Sequence, residues 1–105
     1  LPISATEKIW DAFERIKTYY QRCDKKASAD RLLDVISKGN TDYRAMLQEE
    51  FATLTKLGNA FRIRHHETDK KDICCDEHYD YLFHRCLSVL KLATSVLNEV
   101  CPDEI

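Results

Sequence analysis

The chain has 105 residues, enough for one modest core and no second domain with its own interior. Hydrophobic residues make up 44% and charged residues 32%, too apolar for a disordered chain and too polar for a membrane span. With a net charge of −2 and both signs mixed along the chain, no whole-domain basic field draws it to nucleic acid, so any such binding must be local.

Only two glycines and two prolines punctuate the sequence, and Pro2 and Pro102 stand at its ends, so long helices are permitted throughout. Leu1 to Ala5 carry no basic leader and no apolar core, so no signal peptide is expected. A start at Leu1 reads as an excised C-terminal domain of a longer protein. Five cysteines, Cys23, Cys74, Cys75, Cys86 and Cys101, raise the alternative of a secreted disulfide scaffold. Their odd number, and apolar helical positions for Cys86 and Cys101, favour reduced thiols in the cytoplasm.

In chain order, Ser4-Ala5-Thr6-Glu7 has capping-box spacing and predicts a first helix starting near Ser4 or Thr6. Its core stripe is Ile9, Phe13, Ile16 and Tyr20, and it should end near Arg22. Ser28 is placed to cap a short second helix with Leu32, Leu33, Val35 and Ile36, ended by Gly39 in a left-handed conformation. Asn40 or Thr41 caps a third helix striped by Leu47, Phe51, Leu54, Gly58 and Phe61. A glycine inside such a stripe costs about 1 kcal/mol against alanine, which predicts a close crossing of another element at Gly58. Thr68 to Asp76 reads as a loop. A long last helix from Glu77 to Val100 carries Leu82, Cys86, Val89, Ala93, Val96 and Val100, with Phe83, Leu90 and Leu97 beside them. The expected fold is all-α, an up-and-down bundle of four to five helices in a single domain, with the last helix at its centre.

The densest polar cluster is Gly58 to Glu67. If the third helix runs through it, Asn59, Arg62 and His66 share one face, with Arg64 and His65 beside them. An imidazole moves protons near neutral pH and a guanidinium grips a phosphate by two parallel hydrogen bonds, so the pair suits phosphodiester chemistry. The plainer reading is a solvated helix end, with Glu67 and Asp69 pairing locally. Cys74, Cys75 and His78 form a second cluster of zinc-type donors but lack the paired Cys-x-x-Cys knuckle, so no metal is assigned and loop cysteines are the simpler account. Phosphate-binding glycine loops, nucleophile elbows and dinucleotide fingerprints are missing, and no cofactor is expected.

Leu57-Gly58-Asn59, the Arg62-Ile63-Arg64-His65-His66 run and the helix start Tyr79-Asp80-Tyr81-Leu82-Phe83 resemble the C-terminal domain of bacterial abortive-infection proteins, which is similar to the HEPN superfamily. The resemblance implies a helical bundle, usually dimeric, serving phage defence; many members cleave RNA without metal using an arginine and a histidine separated by four to six residues. Here Arg62 and His66 have three residues between them, a spacing closer to that of inactive members that act as dimerisation or regulatory modules. The resemblance therefore implies a homodimer or docking to another domain of a longer protein. Arg62 and His66 are the candidate catalytic pair for RNA, and Asn59, Arg64 and His65 its candidate binding residues.

Overall fold

A computed structural model of the chain describes residues 2–64 and 66–99. It has four helices: α1 (Ile3–Ile16), α2 (Lys25–Ile36), α3 (Thr41–Ala60) and α4 (Asp76–Leu97). Among the described residues the only extended pairing is an isolated parallel bridge between Phe61 and Lys71. The fold is an all-α bundle. Its core is one cluster drawn from all four helices, including Trp10 and Phe13 of α1, Leu32, Leu33 and Ile36 of α2, Leu47, Phe51 and Leu54 of α3, and Leu82, Cys86, Val89 and Ala93 of α4. Helix α4 packs along α1 and also meets α2, and α2 in turn meets α3. No described helix is long and apolar enough to cross a membrane.

The capping-box expectation for α1 fails. The helix begins at Ile3 after Pro2, and Thr6 is buried inside it, its hydroxyl donating to the Tyr79 carbonyl of α4 at 3.3 Å. The predicted end at Arg22 is also corrected, to Ile16. Ser28, expected to cap α2, lies buried within that helix, and its Oγ accepts from the amides of Tyr20 (3.1 Å) and Gln21 (3.2 Å). Those amides are thereby held in the α1–α2 connection, and the start of α2 falls to Asp24, whose carboxylate accepts from Ala27 N at 3.0 Å. Lys17 turns inward at the same junction. Its ammonium is buried over the Phe13 ring and donates to Glu14 and to Thr55 of α3.

Gly39 is left-handed as expected, with φ +81°, and Asn40 caps α3 by accepting from Tyr43 N at 2.9 Å. Gly58 is buried and helical, but the group pressed against it is the Trp10 indole: a Cβ there would lie 1.9 Å from Trp10 Cζ2. A flat side chain of α1, and no second backbone, fills the space that the missing methyl leaves. Helix α4 starts one residue before the expected Glu77 and ends at Leu97; Val100 lies outside the described residues.

Candidate functional site

Helix α3 stops at Ala60, ahead of the Arg/His cluster. Phe61 is extended (φ −106°, ψ 152°), Arg62 N donates to Lys71 O at 2.7 Å, and Lys71 N donates to Ala60 O at 3.0 Å. Ile63 is pulled into the core at 1% exposure, which fixes the chain beyond the helix in a non-helical path. Asn59 is therefore in the last turn of α3 whereas Arg62, Arg64 and His66 belong to the connection 61–75, and the single helical face expected for Asn59, Arg62 and His66 does not form.

The cations of that connection are engaged in different directions. Arg64 reaches back to α1 and donates from Nε (2.9 Å) and Nη2 (2.7 Å) to Asp11 Oδ1. Arg62 pairs with the exposed Asp72 at 3.7 Å. Glu67, largely shielded from solvent, lies between Arg64 and Lys70 at 3.8 and 3.7 Å, and Lys70 Nζ also covers the Asn59 carbonyl at 2.8 Å. His66 is exposed, and His65 lies outside the described residues. These contacts fasten the connection to α1 and α3.

A second cluster sits where the connection enters α4. Cys74, Cys75 and His78 place two thiols and one imidazole within 4.8 Å of one another, with Cys74 Sγ 3.4 Å from His78 Nδ1. Cys75 is the N-cap, and its carbonyl accepts from the amides of His78 (3.2 Å) and Tyr79 (3.3 Å). The first turn of α4 thus sets the spacing of the three side chains.

The third feature was not legible along the chain. Helices α3 and α4 line a groove of about 490 Å³ floored by Leu47, Val89 and Leu92 and edged by Tyr43 and Met46. Glu50 and Arg85 bridge the two helices, Arg85 Nη2 donating to Glu50 Oε1 at 2.6 Å; the Glu50 carboxylate pushes the guanidinium pKa above its ordinary value, against the effect of burial. Arg85 Nη1 also donates to the Tyr81 hydroxyl at 3.3 Å. Tyr43, Met46 and Tyr81 are 44%, 49% and 60% exposed, large apolar surfaces on the α3/α4 side of the molecule. The available signal was that Met46 is apolar yet falls off the Leu47–Phe51–Leu54 stripe, while Tyr43 extends that stripe to the first turn of α3; nothing local pairs Glu50 with Arg85, 35 residues apart. A comparison of the chain with protein-family models, curated proteins and solved structures found no match.

Proposed function

We propose that this chain is a helical interaction module that self-associates through its α3/α4 face, in the manner of the dimerisation domains of abortive-infection-like, HEPN-type proteins. The observation that carries the reading is the clustering of exposed Tyr43 and Met46 on the rim of one groove, with Tyr81 beside it. Tyrosine and methionine at a groove edge offer large contact area, and tyrosine retains a hydroxyl for water when the face is free. A net charge of only −2 opposes association weakly. The cytoplasmic setting fits the thiols of Cys23, Cys74, Cys75 and Cys86, all free.

The RNA-cleaving alternative would require Arg62 to leave Asp72 and to converge with His66 on one phosphate, since the helix that was to align them ends at Ala60.

Sedimentation equilibrium over a wide concentration range tests the module reading. The expected result is a concentration-dependent dimer that Tyr43→Glu and Met46→Glu convert to monomer without loss of helical circular dichroism. A strict monomer at high concentration, or a dimer indifferent to both substitutions, would overturn it.

A further inference from the structure

Two thiols and an imidazole at the start of α4 point to a different kind of site. We propose that Cys74, Cys75 and His78 bind one Zn²⁺ ion, with the fourth coordination position left to water or a small oxygen-donor ligand. The proposal is independent of self-association.

The donor set is of the right chemistry. Thiolate and neutral imidazole are the ligands that borderline-soft Zn²⁺ favours, and two thiolates cancel its double charge. The geometry is close to that required. A tetrahedral centre with Zn–S about 2.3 Å and Zn–N about 2.0–2.1 Å holds sulfur and nitrogen roughly 3.6 Å apart and two sulfurs roughly 3.8 Å apart. Cys74 Sγ and His78 Nδ1 are 3.4 Å apart, and no pair of the three ligand atoms exceeds 4.8 Å. Side-chain torsions can close the remaining difference of about 1 Å without moving backbone.

A thiol–imidazole hydrogen bond between residues four apart links Cys74 and His78, and Cys75, as the N-cap of α4, brings a second thiol to the same point. The backbone that brings Cys75 there is already fixed by the amides of His78 and Tyr79 on its carbonyl. Ile73, packed against the core, anchors the approach from the other side. The open position has somewhere to lead: Cys74 and His78 form part of the wall of a cavity of about 380 Å³ whose other walls are mainly Leu57, Phe61, Ile73 and Leu82. Three protein ligands beside a cavity is the arrangement of a zinc site that keeps an exchangeable position, unlike the closed four-ligand sites that only hold a fold together.

Cobalt(II) titration of the whole chain under reducing conditions tests this. The expected result is one Co²⁺ per chain, with a thiolate-to-cobalt charge-transfer band, intense tetrahedral visible bands, and displacement by Zn²⁺. Cys74→Ser, Cys75→Ser and His78→Ala should each weaken Zn²⁺ binding by more than the roughly 10–100-fold typical of losing an outer-shell partner, whereas Cys23→Ser should leave it unchanged. Helical circular dichroism of each variant shows that the chain still folds. The proposal is overturned if the charge-transfer band fails to appear, if it survives in the Cys74→Ser/Cys75→Ser double variant, if it depends on Cys23, or if one ion is bound per two chains.

Discussion

Gly58 lies against the Trp10 indole so closely that even one added carbon would overlap the ring, 1.9 Å from Cζ2 and 2.4 Å from Cε2. Trp10 is 2% exposed and packs against Phe13, ring centroids 5.5 Å apart and planes tilted by 52°, so it has little room to retreat. Gly58→Ala gains about 1 kcal/mol of helix propensity and loses about 1–3 kcal/mol to overpacking. The expected net effect is a lower melting temperature. In a Trp10→Phe background, where Cζ2 no longer exists, the same substitution should cost less, and a double-mutant cycle by denaturant unfolding measures the coupling. A stabilised Gly58→Ala single variant would refute the contact.

Glu14 contributes to the acid limb of stability. Burial works to raise its pKa, but hydrogen bonds from Lys25 and Lys17 and their charges outweigh it, and the net shift is downward from 4.5. A carboxyl depressed in the folded state contributes stability that is complete above pH 4.5 and is lost as pH falls through the lower folded value. Burial lowers the pKa of Lys17 against the pull of Glu14, yet the ammonium keeps its proton in acid and adds no slope there. Glu14→Gln should therefore flatten the decline in unfolding free energy below that pH by about 1 kcal/mol or less. An unchanged acid profile in this variant would show that Glu14 does not supply it.

Cysteine reactivity should divide by position. Burial pushes the Cys86 thiol up to about 12, so at neutral pH it is a protonated, enclosed hydrophobe. Cys23 and Cys74 are exposed. Iodoacetamide mapping of the native protein by peptide mass should label Cys23 and Cys74 rapidly and leave Cys86 unmodified until denaturant is added. Reductant should leave the melting temperature unchanged; a large fall would mean that a disulfide, typically worth about 2–5 kcal/mol in a small domain, holds the fold.

Arg62 and His66 give a direct test of RNA chemistry. Because the two residues lie beyond the end of α3, metal-free incubation with single-stranded RNA is expected to show no cleavage above background, and Arg62→Ala and His66→Ala no change. Cleavage that either substitution abolishes would reinstate them as a catalytic pair.

The sequence by itself determined that the chain is all-α, with four of its helices placed in order, and most of the core. Apolar side chains repeating every three to four residues leave few ways to bury Leu47, Phe51 and Leu54 or Leu82, Cys86, Val89 and Ala93 except on one face of a helix, and that periodicity is local. The Asn40 cap and the left-handed Gly39 were legible for the same reason, each acting within a turn of its own position. Only the tertiary structure decided where α1 and α3 end. Ser28 captures the amides of Tyr20 and Gln21 from within α2, and Lys71 takes the amide of Arg62 from across the connection. Arg64 is likewise claimed by Asp11, 53 residues away, and the α3/α4 groove is lined by Glu50 and Arg85, which lie 35 residues apart and meet from two helices. A backbone amide at a helix end takes whichever acceptor the fold brings nearest, and that choice is made by residues distant in the chain, which no repeat of three or four can reveal.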